Sequence, residues 1–130
     1  MSEDVHQEVD FQASPQRVYE TYLDCRAHAA FTGEPATLSS SEGGEFSCWG
    51  GRIVGRHIEL RPNKRIVQAW RASAWPEGIY SVVRIELQRS PSGTHLVLDH
   101  TGIPQGASPG ISSGWPTRYW DRMKKHFGEG

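Results

Sequence analysis

The stretch GGEFSCWGGRIVGRHIELRPNKRIVQAWRASAWPEG, Gly43 to Gly78, decides the fold. Its 36 residues hold two glycine pairs, several short β-rich runs, an Arg61-Pro62-Asn63-Lys64 turn and three of the five tryptophans. The glycine pairs do not form a phosphate loop, which needs Gly-Lys-Ser/Thr opening a helix. They separate strands, and they read as bends and bulges. Glu45 to Trp49 is expected as one strand. Arg52 to Leu60 is the next, with Val54, Ile58 and Leu60 as its imperfect apolar face. Ile66 to Ala72 follows the turn and carries Trp70. The segment is a run of antiparallel strands turning one face toward a shared interior.

Working outward toward the N-terminus, Val5, Gln7, Val9, Phe11 and Ala13 alternate with His6, Glu8, Asp10 and Gln12, the pattern of a half-buried strand. Ser14-Pro15 reads as an N-cap followed by proline at the first helical position, with Val18, Tyr19, Tyr22 and Leu23 as the apolar stripe. Asp24 is placed to cap a second short helix over Cys25 to Phe31, stopped by Gly33. Thr37-Leu38-Ser39 is a weak strand leading to the Ser41–Gly44 turn.

Toward the C-terminus, Tyr80 to Leu87 sets Val83, Ile85 and Leu87 on one face, and Ser90-Pro91-Ser92-Gly93 closes a hairpin onto Thr94 to Thr101. Gly102 to Gly114, rich in glycine, proline and serine, reads as a loop. Trp115, Tyr119, Met123 and Phe127 then recur every four residues, an amphipathic helix with an aromatic face. The order β-α-α, five or six strands, then a helix has one obvious packing solution. The last helix lies across the concave face of the sheet.

With 130 residues, 36% apolar and 22% charged, the chain is read as a single domain spanning 1–130. A net charge of −1 gives no electrostatic case for nucleic acid. No apolar run approaches the length of a membrane span, and the acidic MSEDVHQEVDF start lacks the order of a signal peptide. Cys25 and Cys48 belong to no paired motif. A cytoplasmic protein with reduced thiols is the expectation.

Gly43-Gly44-x-Phe46, Trp70 with Trp75-Pro76-Glu77-Gly78, Gly102-Ile103-Pro104 and Gly114-Trp115 resemble the C-terminal domain of the activators of the heat-shock protein 90 ATPase. That family is a branch of the START-like (Bet v 1-like, SRPBCC) superfamily, and the resemblance runs from about Phe11 to Gly128. It implies an α+β helix-grip fold: a curved antiparallel sheet around a long C-terminal helix, often with a cavity between them. It also implies a chaperone partner. The full eukaryotic co-chaperone is similar over its second half only.

The tryptophans are the largest apolar investment, each ring able to bury 150–250 Å². They either fill the space between sheet and helix or line a ligand cavity there, and Trp75, in its Pro-Glu-Gly turn, is placed for a rim or a partner contact. His100 shares the parity of Leu96 and Leu98, so it faces inward, whereas Asp99 faces outward. His100, like His57, is either a hydrogen-bonded core histidine or a group that orients a ligand or acts as general base. No metal site is expected, because no two histidines stand four apart on a helix and Cys25 with His28 offers two ligands where zinc takes three or four. Cys48 reads as a small buried hydrophobe. The cations Arg118, Arg122, Lys124 and Lys125, with His126, suit the end of the last helix dipole, or an acidic partner.

The reading put first is a non-enzymatic domain holding a small hydrophobic or aromatic ligand in a nearly closed cavity lined by Trp49, Trp70, His100, Trp115 and Tyr119, without cofactor. The alternative is a co-chaperone-like domain that contacts a heat-shock protein 90 class chaperone through a patch near Trp75 and the basic helix end. A cyclase or dehydratase using His57, His100, Asp99 or Tyr119 ranks last, since no catalytic constellation emerges.

Overall fold

The computed structural model describes residues 3–128. They form a seven-stranded antiparallel sheet in the order β1-β7-β6-β5-β4-β3-β2. The strands are β1 (Glu3–Phe11), β2 (Thr37–Leu38), β3 (Glu45–Cys48), β4 (Ile53–Arg61), β5 (Arg65–Ala72), β6 (Ser81–Ser90) and β7 (Gly93–Ile103). Helices α1 (Pro15–Leu23) and α2 (Cys25–Thr32) follow β1, and α3 (Ser108–Trp115) and α4 (Asp121–His126) follow β7. This is the helix-grip arrangement.

The two early helices end where their sequence signals stand. The Ser14 hydroxyl accepts from the Arg17 N–H at 3.2 Å, and the Asp24 carboxylate accepts from the Ala27 N–H at 2.9 Å. Gly33 adopts φ 78°, the left-handed stop that glycine takes without steric cost. The core between sheet and helices is one apolar cluster in which Phe11, Val18, Ile85, Leu98 and Met123 are fully buried.

β4 departs from the expected face. Its inward residues are Ile53 and His57, with Gly55 between them opposite Trp70, while Ile58 is 52% exposed. A bulge between His57 and Glu59 shifts the alternation by one residue, which returns Leu60 to a position opposite buried Ile66. The period-two pattern read across that bulge therefore mixed two faces.

The 102–114 segment is also more ordered than a loop. β7 continues to Ile103, a turn spans 105–107, and the helix already begins at Ser108. Gly110, Ser112, Ser113 and Gly114 are poor helix formers. Packing of Ile111 and Trp115 against the core outweighs that preference.

Pro116 then interrupts the helical ladder, because it has no N–H to offer the Ser112 carbonyl. The chain answers with a π-turn over Pro116–Trp120, closed by Asp121 N–H donating to the Pro116 carbonyl. The freed Ser112 carbonyl accepts from Gln7 Nε2 of β1 at 2.7 Å. The extra residue in the turn brings Trp120 inward beside Tyr119, so Trp115, Tyr119, Trp120 and Met123 are all buried. Among the described residues no helix is long and apolar enough to cross a membrane.

Candidate functional site

The inner face of β5 and the C-terminal helix leave between them a cleft of about 250 Å³. Its aromatic walls are Trp49, Trp70, Trp75, Trp115 and Tyr119, and Arg118 is the single cation among the residues that line it. Trp70 faces Trp75 at 5.5 Å and Trp115 at 6.3 Å between ring centres, and Trp115 meets Tyr119 at 4.9 Å. Four of the five residues expected around a cavity thus come together, joined by Trp75. The space is an open cleft rather than a closed chamber.

Trp75 is held by its turn: its N–H donates to the Ala72 carbonyl at 3.0 Å, and Arg71 donates to the Trp75 carbonyl at 2.7 Å. Trp49, expected as the last residue of a strand, falls just beyond β3. It opens a short turn at φ 56°, followed by Gly50 and Gly51 at φ 66° and 92°. Two glycines in left-handed conformation reverse the chain there, and Trp49 is drawn into the same region. A bulky residue in that region costs roughly 1–3 kcal/mol. Compensation comes from burial of the ring, from the Arg118 and Arg122 guanidinium groups 5.8 and 5.3 Å from it, and from a hydrogen bond of its N–H to the Tyr119 hydroxyl at 3.1 Å.

His100 is placed behind the cleft, not on its surface. It sits 4.8 Å from the Trp70 ring and has no exposure to solvent. The Trp115 N–H donates to His100 Nδ1 at 3.1 Å, which makes Nδ1 the acceptor. Nε2 therefore carries the proton and donates to the Ser81 hydroxyl at 2.7 Å, and that hydroxyl donates to the Trp70 carbonyl at 3.0 Å. Burial lowers the His100 pKa to about 4. Both nitrogens are committed, and no lone pair is left for a general base.

A second relay supports the other wall. His28 Nδ1 donates to the Tyr22 carbonyl at 2.8 Å, so its Nε2 accepts from the Tyr119 hydroxyl at 3.2 Å, which itself accepts from Trp49. Burial pushes the Tyr119 and Tyr22 hydroxyls well above the usual phenol range and His28 below the usual imidazole value. The Tyr22 hydroxyl donates to Gln68 Oε1 at 3.1 Å, and Gln68 Nε2 lies 3.4 Å from His57 Nδ1. His57 is buried and stacked on Phe46, and its Nε2 has no hydrogen-bond partner among the described residues. Burial lowers its pKa. Like His100, it belongs to the core.

Asp99 points to the opposite face of the sheet, where His6 Nδ1 is 2.6 Å from its carboxylate. It takes no part in the cleft. Among the described residues, no group of three or more histidine, cysteine or acidic side chains is arranged to hold a metal ion.

Sequence reasoning missed His28, Gln68, Ser81 and Arg118 as members of this system. His28 had a signal, since it shares the inward stripe of α2 with Phe31 and Thr32. Gln68 and Ser81 share the inward parity of Trp70 and Val83 on their strands. Arg118 had none, because its place beside the cleft depends on where the π-turn rotates the helix.

Outside the cleft, Ile79, Tyr80 and Val82 are exposed at the turn and strand start that follow Trp75, with the Arg71 guanidinium 5.8 Å from the Tyr80 ring. Arg122, from the basic helix, is tied down by bonds to the Thr117 and Thr32 carbonyls at 3.1 and 2.9 Å.

A curved sheet gripping an aromatic C-terminal helix over an apolar cleft defines a START-like, helix-grip domain. Residues 12–128 match the family described as Activator of Hsp90 ATPase homolog 1-like protein, and the chain belongs to that family. It is 32% identical over 120 residues to the human activator of 90 kDa heat shock protein ATPase homolog 1, covering 92% of this chain and 36% of the relative. The Hsp90 co-chaperone of Saccharomyces cerevisiae is 24% identical over 135 residues, covering 99% of this chain and 39% of that protein. The chain therefore spans little more than a third of the curated relatives it matches. Among solved structures, an HSP90 activator from Plasmodium falciparum superposes with a TM-score of 0.88 at 24% identity, covering 100% of this chain and 98% of that one. The fold is shared across that distance.

Proposed function

We propose that this chain is a protein-interaction domain that docks onto a chaperone of the heat-shock protein 90 class. The reading is supported by the identity to named activators of that chaperone's ATPase over nearly the whole of this chain. The apolar cluster Ile79, Tyr80 and Val82 beside the Trp75 turn supplies a surface for it, since exposed large apolar groups gathered in one place mark contact sites. The chain matches only part of each relative, so binding with modest stimulation is expected rather than the full effect. The test is titration of the purified chain into the host's chaperone of this class, following ATPase rate and complex formation. Tyr80→Ser should weaken both by several-fold while leaving the fold intact. If the unaltered chain neither forms a complex nor alters the rate, the proposal fails.

A second reading, a small apolar ligand held in the cleft, is favoured by one observation. The cleft stays open although five aromatic rings surround it, and Trp49 is held there in a strained backbone conformation. Native mass spectrometry of protein purified from its own host would show a small guest of defined mass if this holds, and bare chain throughout if it does not. The cyclase or dehydratase alternative gains no support from the geometry. The only lining residue with an acid–base hydroxyl is Tyr119, which is already bonded to Trp49 and His28.

A further inference from the structure

We infer that the cleft selects a single aromatic ring bearing a short anionic substituent, with Arg118 reading the anion. This rests on the reading of the cleft as a ligand site and specifies the class of ligand.

Size comes first. An apolar cavity of about 150 Å³ holds benzene, and drug-sized ligands occupy pockets of about 300–1,000 Å³. At about 250 Å³ this cleft can enclose one ring and a small substituent, and any longer part of a guest would project into solvent. Shape comes second. Trp75 and Trp115 pack against Trp70 with their rings inclined to it by 60° and 34°, so the lining offers ring surface in more than one orientation, which suits a flat guest.

Charge comes third. Among the lining indoles, the Trp49 and Trp115 N–H groups are spent on Tyr119 and His100, which leaves those of Trp70 and Trp75 as neutral donors. Arg118 differs from every other lining residue. It is charged, no carboxylate pairs with it among the described residues, and its guanidinium lies over the Trp49 ring. The neighbouring Arg122 also stacks on Trp49, but its donors are taken by two backbone carbonyls. No acidic side chain lines the cleft to repel an anion. A guanidinium with its fork of donors free, at the edge of an apolar slot, matches a carboxylate in geometry as well as in sign.

The experiment titrates the whole chain with phenylacetate and, separately, with its neutral isostere phenylacetamide, following the indole N–H resonances of the tryptophans by NMR. For so few atoms an affinity of roughly 0.1–1 mM is expected, within reach of that method. Phenylacetate should shift the Trp49, Trp70, Trp75 and Trp115 resonances and bind about fivefold more tightly than the amide, the size expected of a partly solvated ion pair. Arg118→Gln should erase the difference between acid and amide, and Arg118→Lys should restore part of it. Arg118 is exposed, so neither change threatens the fold. Equal affinity for acid and amide, or discrimination that survives Arg118→Gln, would overturn the inference and leave the cleft as a neutral ligand site. If neither probe shifts the four indoles, the ligand reading itself falls.

Discussion

Gln7 of β1 donates its amide N–H to the Ser112 carbonyl and accepts the Trp120 indole N–H at 2.8 Å, spanning the π-turn from outside the helix. Pro116 creates the need for the first bond, and the inward turn of Trp120 creates the need for the second. One side chain from the opposite end of the chain meets both. Gln7→Leu keeps the size and removes the bonds, leaving a carbonyl and an indole N–H without partners. Because both sites are partly open to water, the expected loss is about 1–2 kcal/mol, measured by urea denaturation. An unchanged midpoint would mean that water replaces Gln7 at no cost.

The burial of His100 leads to a pH dependence. An unfolded imidazole titrates near 6.5, whereas buried His100 does so at about 4. Between those values the unfolded chain binds more protons, so stability is complete above 6.5 and falls as pH drops toward 4. Such a shift corresponds to on the order of 3 kcal/mol, and buried His28 and His57 act in the same direction. Chemical denaturation at a series of pH values should show this acid limb. NMR of the ring nitrogens should show His100 as the Nε2–H form with no titration between pH 5.5 and 8.

On the outer face, Asp99, His6, Glu8, His95 and Asp10 form an alternating row across β1 and β7, with contacts of 2.6 to 2.8 Å. The hydrogen bond to Asp99, then that to Glu8, raises His6; the bond to Asp10, then that to Glu8, raises His95. These groups work in the opposite sense to His100. Their contribution is present below an imidazole's ordinary value and is lost as pH rises through their own raised values. They are exposed, so salt should weaken the effect. Glu8→Gln is expected to lower both histidine pKa values in an NMR titration, because one carboxylate bridges the two rings. A shift of His6 alone would contradict the bridge.

Two glycines should respond in opposite ways to alanine. At Gly55, paired with Trp70 across β4 and β5, a Cβ would collide with the Ala69 carbonyl and the Phe46 ring. Gly55→Ala should destabilise severely, by several kcal/mol, or prevent folding. Gly110 stands inside α3 with open space around it, and Gly110→Ala should stabilise by about 0.4–1 kcal/mol. Thermal melts of the two variants give the comparison directly.

The cysteines should differ in reactivity. Burial pushes the Cys48 thiol up to about 12, whereas Cys25 is half-buried. Thiol reagents applied to the native chain at pH 8 should modify Cys25 first and reach Cys48 only after unfolding. Mass mapping of the modified peptides would show the order.

What the sequence determined by itself is the set of features written in local code. The Ser14, Asp24 and Gly33 signals bound two helices correctly, and the alternation in β1, β6 and β7 assigned their buried faces. The four-residue recurrence from Trp115 identified the gripping helix. Each is legible because the cause lies within a few residues of the effect. The register of β4 was not legible, because a bulge moves every later side chain to the other face and carries no residue signature of its own. Nor was the helix over 108–114, where long-range packing of Ile111 and Trp115 outweighs poor intrinsic propensity. In the site, the aromatic residues read either as core filling or as the lining of a cavity, and only the tertiary structure showed a cleft and which histidine lay behind it. It alone tied His100 to Trp115 and His28 to Tyr119, and it alone brought Arg118 beside Trp49. Hydrogen-bond partners far apart in the chain meet through the geometry of the whole sheet, which no local pattern encodes.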